Sequence, residues 1–208
     1  MDKKYIAYVS AYTHGKSKGI MICDVDVEQG HFTPRSEVVI HNPSYMAKSH
    51  SGKYLYSICD EGLVAYRILE NGNLGFINQG SINGMRACYL TVDSKDRYIF
   101  CAGYHDGKAT IVRIREDGGI GEVTDEVFHK GLGSVAERNF RPHVSCVLLT
   151  PDEKYMIACD LGTDQAEVYR FNSVTGKIRP VDVIRCELES APRTMVFSPD
   201  GKFAYLSH

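Results

Sequence analysis

The feature of this chain that most constrains its fold is an internal repeat, a tight turn that leads into a short strand beginning with an aromatic residue. Complete copies of this unit occupy residues 51–56, 95–100, 152–157 and 200–205, and residues 3–8 form a copy without the turn. Spacings of 49, 44, 57 and 48 residues separate the equivalent aromatic positions Tyr5, Tyr54, Tyr98, Tyr155 and Phe203. A period of this size is typical of proteins in which each repeat forms one structural unit.

A second repeated landmark, a strand that runs into a glycine-containing turn, lies between the aromatic positions. Its copies occupy residues 20–32, 63–74, 110–120 and 167–178. Each repeat contains several short runs of β-branched and aromatic residues bounded by Gly, Asp, Asn or Pro, and none shows sustained helical spacing. Four short strands in about 45 residues are typical of a propeller blade. The sequence therefore predicts an all-β β-propeller with at least four consecutive four-stranded antiparallel blades. A β-sandwich with similar turns is the alternative.

The number of repeats predicts a ring that is larger than this chain. Complete repeats account for residues 3–197, and a further repeat begins after them. We expect about four and a half blades in residues 1–208, which would form a single propeller domain that is incomplete at its C-terminus. Such a chain would expose apolar blade faces, so we expect it to associate with further blades or with another copy of itself.

Composition excludes several classes of partner. The 24 Lys and Arg residues are balanced by 26 Asp and Glu residues, so we expect neither nucleic acid nor an anionic membrane as the main partner. The apolar runs are too short to span a bilayer, and the N-terminus lacks a secretory signal pattern.

Seven cysteines without a CxxC pair favour a cytoplasmic protein with reduced thiols. We expect those that follow the repeated aromatic residues to be buried; they are Cys59, Cys101 and Cys159.

Motifs for cofactors and metals are weak. Residues 131–136 fit the spacing GxGxxA, but they lie inside a β repeat without the helix that a dinucleotide site requires. No HExxH, GxSxG or zinc-type Cys/His set occurs. Acidic pairs such as Asp24 with Asp26 are more often solvated than bound to calcium. We therefore expect no metal and no cofactor.

The segment 137–164 contains the strongest candidates for a binding site. It belongs to the longest repeat, so its extra residues form a loop before His143. Loops at one face of a propeller line the central channel, where Arg138, Arg141 and His143 would suit an anionic sugar acid or sugar phosphate. The alternative is an exposed loop with solvated charges. Arg86 and Arg193 each precede a strand, and they either share the channel or link adjacent blades.

At these residues the sequence resembles the lactonase family with the seven-bladed β-propeller fold. The resemblance runs along the whole chain, and its more specific matches are residues 137–143, 160–164 and 192–205. It implies hydrolysis of a sugar lactone, with 6-phosphogluconolactone as the expected substrate, in cytosolic carbohydrate metabolism. The resemblance also implies seven blades of about 45–50 residues each, which need roughly 330 residues, more than the 208 of this chain.

The resemblance also implies a site of one histidine, two arginines and a glutamate. His143 resembles the histidine and Arg193 the first arginine, while the other two residues would follow His208. Arg193 would polarise the lactone carbonyl, and His143 would activate water as a general base. The groups expected to hold the rest of the substrate are Arg138, Arg141, Asp160 and Asp164. We therefore expect residues 1–208 alone to be inactive.

Three departures from the family pattern bear on the substrate: Ser145, Thr194 and Asn139 replace residues that other members carry. A non-catalytic binding scaffold, a cyclase acting on an unsaturated diacid and a metal-dependent propeller lactonase remain open as alternatives.

Overall fold

The computed structural model describes residues 5–133 and 140–208, which contain seventeen strands and no helix. The first sheet consists of β1 (Tyr5–Ser10), β2 (Gly19–Asp26) and β3 (His31–Val39). The second consists of β4 (Met46–Lys48), β5 (Tyr54–Cys59), β6 (Gly62–Ile68) and β7 (Leu74–Gly80). The third consists of β8 (Tyr89–Val92), β9 (Tyr98–Gly103), β10 (Lys108–Ile114) and β11 (Ile120–Phe128). The fourth consists of β12 (Val144–Leu149), β13 (Tyr155–Asp160), β14 (Gln165–Asn172) and β15 (Lys177–Arg185). The fifth consists of β16 (Thr194–Phe197) and β17 (Ala204–Ser207).

The predicted all-β class and the antiparallel blades are confirmed, since every pair of neighbouring strands is antiparallel. The predicted number of complete blades is wrong, because the described residues form three four-stranded sheets rather than four. Tyr5 begins β1 as Tyr54 begins β5, so the first sheet holds the counterparts of the second to fourth strands of a blade. The fifth sheet holds the counterparts of the first two.

The sheets stack face to face around the inner strands β4, β8, β12 and β16, each of which contacts the next. Tyr56, Ile58 and Leu63 pack against Ile99 and Val112, so a dry core lies between the second and third sheets. A second core, between the third and fourth sheets, contains Phe100, Ile111, Val147, Met156 and Phe171. The repeated strands are hydrophobic on both faces because each sheet packs against a neighbour on either side.

The two landmarks of the repeat contact each other across the blade interfaces. The ring of Tyr54 packs against Gly118 in the β10–β11 turn, and the ring of Tyr98 packs against Gly176 in the β14–β15 turn. Both glycines have positive φ, of 87° and 72°, and a Cβ at either would collide with the ring. The Tyr98 hydroxyl also donates to the carbonyl of Val174 at 3.1 Å. Tyr54 and Tyr98 therefore each pack directly against a turn of the next blade.

The equivalence of the aromatic positions is confirmed for Tyr54, Tyr98 and Tyr155, which begin β5, β9 and β13. Phe203 has the same place relative to its turn, but it precedes β17 and is 61% exposed. Its predicted core position is wrong because no described residue from a following sheet covers it.

The turn before each aromatic residue has a left-handed residue at the same position. Gly52 occupies it in the second sheet, with φ of 73°, and Asp96 occupies it in the third, with φ of 54°. The carboxylate of Asp96 accepts hydrogen bonds from the amides of His50 and Ser51 in the preceding blade, at 2.7 and 2.9 Å. The turns of adjacent blades are thus joined by a charged hydrogen bond as well as by packing.

The predicted burial of the three strand cysteines is confirmed: Cys59, Cys101 and Cys159 are at most 2% exposed.

No helix of membrane-spanning length and hydrophobicity occurs within residues 5–133 and 140–208.

Candidate functional site

Two adjoining cavities lie where residues at the start of the inner strands meet the hairpin turns of several blades. The tyrosine compartment, of about 430 Å³, is lined by Tyr45, Cys88, Tyr89, Tyr104, Ser145, Leu161, Arg193 and Thr194. The basic compartment, of about 370 Å³, is lined by Tyr12, Ser44, Arg86, Ala87, Cys88, Tyr104, His105 and Arg193. Both volumes are in the range of small-molecule sites. The two compartments share three residues, so together they form one candidate site.

A larger groove of about 540 Å³ lies at the outer edge of the fourth sheet. Only residues of β14, β15 and their turn line it, including Arg170 and Arg179. Because one hairpin supplies the whole lining, this groove lacks the converging side chains of several blades that the two compartments have.

Arg193 lines both compartments. Its backbone amide donates to the carbonyl of Ser207 at 2.9 Å, which fixes its position just before β16. Its side chain is exposed, and its guanidinium makes no hydrogen bond or ion pair with any described residue. Five N–H donors are therefore available to a ligand at the junction of the compartments.

Arg86 lines the basic compartment and is held by neighbours from two other blades. One guanidinium nitrogen forms an ion pair with Asp60 at 3.1 Å, and the guanidinium carbon lies 5.2 Å from the centre of the Tyr12 ring. The side-chain amide of Asn42 donates to both oxygens of Asp60, at 3.1 and 2.9 Å. Arg86 therefore does both things that its sequence position allowed: it faces the cavity shared with Arg193 and links adjacent blades.

The strand register shows that the two arginines are not at equivalent positions. The amide of Cys88 donates to Ala102 as the amide of Arg193 donates to Ser207, and each acceptor lies four residues after the repeated aromatic residue. Cys88 is thus the counterpart of Arg193, and Arg86 lies two residues earlier. Burial raises the pKa of the Cys88 thiol to about 11, so this group is protonated at neutral pH.

His143 lies beside the site but does not line either compartment. Its Nδ1 contacts the carbonyl oxygen of Tyr104 at 2.7 Å, and its ring stacks on the Tyr104 ring with centroids 4.3 Å apart. Since a carbonyl only accepts, Nδ1 carries the proton and Nε2 of the neutral ring holds the lone pair. His143 is 4% exposed. The sequence predicted that His143 would line the cavity, but Tyr104 occupies the lining position instead.

The prediction that Asp160 contacts the substrate is corrected, because this carboxylate is fully buried and saturated. One oxygen accepts from the amides of His143, Gly162 and Thr163 at 2.8, 2.9 and 3.2 Å. The other lies 2.8 Å from Nδ1 of His129. Asp160 has no exposed surface, so its role is to hold the start of β12 and the β13–β14 turn together.

The same correction applies to Asp164, which is 3% exposed. Its oxygens accept from the amides of Glu189 and Ala191, at 3.1 and 3.0 Å. These bonds anchor the loop that leads to Arg193, so Asp164 positions the arginine rather than a substrate.

A buried network continues behind Asp160. Nδ1 of His129 also lies 3.5 Å from Glu167, and Glu167 accepts a short hydrogen bond from the hydroxyl of Tyr169. Burial, together with the bond to Glu167, raises the pKa of Tyr169, so the hydroxyl remains a donor. The network joins His129, just after β11, to β13 and β14 in the interior.

The remaining predicted binding residues are not brought into the site. Arg138 lies outside the described residues. Arg141 is exposed, with its guanidinium carbon 5.8 Å from the centre of the Phe140 ring, and it does not line either compartment. Sequence reasoning missed the aromatic lining, which comes from the first three sheets: Tyr12, Tyr45, Tyr89, Tyr104 and His105. The signal that could have found Tyr45 and Tyr89 is their position at the start of an inner strand.

The described part of the chain contains no group of three or more His, Cys, Asp or Glu residues that could hold a metal ion. The residues that line the two compartments offer cationic and neutral hydrogen-bond donors around a cavity with aromatic walls.

Comparison with known proteins places this geometry in a family. Residues 6–208 match the family described as lactonase, 7-bladed beta-propeller. The chain is 33% identical to a 6-phosphogluconolactonase of Bacillus subtilis over 98% of its own length and 59% of that protein's. Among solved structures, it is similar to a periplasmic gluconolactonase of Pseudomonas aeruginosa, with a TM-score of 0.89, 28% identity and coverage of 98% and 61%. A Bacteroides fragilis structure, provisionally assigned as a 6-phosphogluconolactonase, gives a TM-score of 0.90, 34% identity and coverage of 99% and 61%. The chain thus spans about three fifths of the length of these relatives.

Proposed function

Because the chain belongs to the seven-bladed β-propeller lactonase family, we propose that this protein hydrolyses a sugar lactone, namely 6-phosphogluconolactone to 6-phosphogluconate. The observation that carries the proposal is the guanidinium of Arg193, which has no hydrogen bond or ion pair with any described residue and lies at the junction of two cavities of small-molecule size. Relatives named 6-phosphogluconolactonase occur in Bacillus subtilis and Formosa agariphila, which supports the substrate class.

In this proposal Arg193 is the electrophilic group. Water attacks the lactone carbonyl carbon, and negative charge develops on the carbonyl oxygen as the tetrahedral intermediate forms. The guanidinium of Arg193 donates to that oxygen and stabilises the charge. The ring C–O bond then breaks, the leaving oxygen takes the proton that the general base removed from the attacking water, and the carboxylic acid that forms releases its own proton to solvent to give the carboxylate. No step in this sequence requires a metal or cofactor.

His143 is the proposed general base. The hydrogen bond from Nδ1 to the Tyr104 carbonyl leaves the lone pair on Nε2, which is the tautomer that can accept a proton from water. Because the ring is 4% exposed, the role requires water to reach Nε2 by a small opening of the stack with Tyr104. Replacing His143 by Gln tests this role, since a lost rate with unchanged substrate affinity distinguishes a base from a binding group.

The decisive experiment measures lactone consumption against spontaneous ring opening, for residues 1–208 alone and for a chain extended by the remaining blades of the family fold. We expect residues 1–208 alone to be inactive and the extended chain to accelerate hydrolysis, with a rate at least about 100-fold lower for Arg193→Ala, because a donor to the oxyanion is lost. Arg179→Ala, which changes an exposed arginine of the fourth sheet, is the control and should keep the wild-type rate. Binding of 6-phosphogluconate without any acceleration would indicate a binding scaffold instead.

We also propose a cytoplasmic location, supported by seven cysteines, of which five are buried in the sheets. One similar structure is of a periplasmic protein, so the location needs its own test. Cell fractionation with antibody detection would provide it, and recovery with periplasmic markers would contradict the proposal.

A further inference from the structure

The two compartments differ in the chemistry of their walls. The basic compartment has Arg86, Arg193 and His105 on its walls and no acidic residue among those that line it. The tyrosine compartment has Arg193 as its one charged lining residue among those described, and Tyr45 and Tyr89 pack together with ring centroids 4.6 Å apart. One half of the site is therefore suited to an anion, and the other to a neutral ring.

From this division we infer that Arg86 binds the phosphate group of the substrate, while Arg193 acts on the lactone carbonyl at the junction. The inference rests on the proposed function, because it assigns the two ends of the proposed substrate to the two compartments. It makes Arg86 the residue that selects a phosphorylated lactone over an unphosphorylated one.

The neighbours of Arg86 support a binding role. The ion pair with Asp60 uses one terminal nitrogen, and the guanidinium has further N–H donors for a bidentate contact with phosphate. Tyr12 stacks on the guanidinium, and Asn42 orients Asp60. The arginine is thus held before a ligand arrives, so binding costs little side-chain entropy.

Ser44 gives an independent indication that this compartment accepts a polar group. Its hydroxyl oxygen is buried and has no hydrogen-bond partner among the described residues, although Ser44 lines the basic compartment. A buried hydroxyl without a partner is unfavourable, and a phosphate oxygen placed there would accept its hydrogen bond.

Arg86 and Arg193 also differ in how firmly their neighbours hold the guanidinium, and the difference suits the two proposed roles. Arg86 is fixed by an ion pair and a ring contact, as suits a group that binds a constant part of the substrate. Arg193 makes no ion pair or ring contact within the part of the chain that the structure describes, so its guanidinium can adjust as the carbonyl carbon becomes tetrahedral. The charge of Asp60 offsets part of the charge of Arg86, which favours recognition by geometry over general attraction of anions.

The test compares the binding of two products that differ only in the phosphate, 6-phosphogluconate and gluconate, by isothermal titration calorimetry on the full chain. We expect Arg86→Gln to weaken 6-phosphogluconate binding about 10- to 100-fold and to change gluconate binding less than about threefold. Arg86→Lys should restore part of the affinity, because it returns the charge without the bidentate geometry. Arg179→Gln is the matched control, and circular dichroism establishes that each variant is folded.

The outcomes separate this inference from the proposed function. Equal weakening of both ligands by Arg86→Gln, or no weakening of either, overturns the assignment of the phosphate to Arg86. Selective weakening without any lactone hydrolysis by the chain extended with the remaining blades supports the phosphate site and overturns the catalytic proposal. Where hydrolysis is measurable, Arg86→Gln should raise KM for the phosphorylated lactone and leave kcat within about threefold.

Discussion

At the scale of single residues, Asp160 illustrates how a carboxylate near a binding site can serve the fold instead of a ligand. Its oxygens are engaged by three backbone amides and by the ring of His129, all in the interior. A buried acceptor that is removed leaves several donors without partners, and each is costly in a dry environment.

We therefore expect Asp160→Ala to lower the free energy of unfolding by about 3 kcal/mol or more. Asp160→Asn should cost clearly less, because its carbonyl oxygen can still accept from the amides and His129 can change tautomer to accept from the new NH₂ group. Urea unfolding at neutral pH measures both changes. An alanine variant within about 1 kcal/mol of wild type would contradict this account.

The sequence predicted the residues of the site unevenly, for reasons that lie in the geometry. Arg193 and Arg86 were recognisable because each stands just before a strand of the repeat. Asp160 and Asp164 were misread because a sequence does not distinguish a carboxylate that faces a cavity from one that backbone amides enclose. Tyr104 and Tyr12 reach the site from separate blades through the stacking of the sheets, which no local pattern describes.

At the scale of the blade, the contact between an aromatic ring and a glycine turn makes a quantitative prediction. Gly118 and Gly52 both have positive φ, but Gly118 faces the Tyr54 ring and Gly52 has nothing within 4 Å of the position of a Cβ. Gly52→Ala should cost about 1 kcal/mol for backbone strain alone. Gly118→Ala should cost about 2–4 kcal/mol, because strain and overpacking add.

Urea unfolding of the two alanine variants measures that difference. Since the backbone contribution is common to both, the excess loss at Gly118 reports the contact between the second and third blades. Equal losses would mean that the Tyr54 ring yields freely to the added methyl group and that this contact does not set the spacing.

The turns between blades predict a dependence of stability on pH. Although burial alone would raise the pKa of Asp96, the hydrogen bonds from Ser51 and His50 lower it below its ordinary value. A carboxyl group whose pKa is lower in the folded state stabilises the fold above its unfolded pKa of about 3.9, and this stabilisation disappears as the pH falls through the folded value.

Asp96→Asn keeps a side chain that tolerates positive φ and removes the titrating group. We expect wild type to be more stable than this variant at pH 7 and at pH 5, and the gap to close as the pH falls from about 4 to below the folded pKa. Urea unfolding at a series of pH values measures the gap. If the difference in free energy of unfolding stays constant down to pH 2, the loss of stability comes from the changed shape of the side chain rather than from its charge.

At the scale of the whole molecule, the fifth sheet exposes a group of large apolar side chains. Val196, Phe203 and Tyr205 are 54%, 61% and 60% exposed and lie on or beside the two strands β16 and β17. Apolar side chains grouped in this way favour association between molecules. We expect the 208-residue chain to self-associate as its concentration rises.

Sedimentation velocity over a range of concentrations measures this association. The double variant Phe203→Ser, Tyr205→Ser should remain monomeric at concentrations where wild type associates. Phe76→Ser, which changes an exposed aromatic residue on β7, is the control and should associate like wild type. Association that is unchanged in the double variant would place the contact elsewhere.

The overall fold followed from the sequence more directly than the site did. The spacing of the aromatic residues and the glycine turns predicted sheets of short antiparallel strands, because those landmarks repeat wherever one blade packs on another. The number of complete blades was overestimated because counting from Tyr5 treats a second strand as the start of a blade. Strand content is a local property, whereas the order of strands within a sheet depends on pairing.

The aromatic ring and the glycine turn are on opposite faces of the third blade, where Gly118 faces the second blade and Tyr98 faces the fourth, and this has a consequence for how such a chain can arise. A blade with a tyrosine on one side and a matching turn on the other is complementary to its own copy, as monomers in a head-to-tail polymer are. Duplication of the DNA that encodes such a blade would therefore reproduce this contact at the new interface. A gene of this kind can lengthen by whole units, each of which adds one ring and one turn.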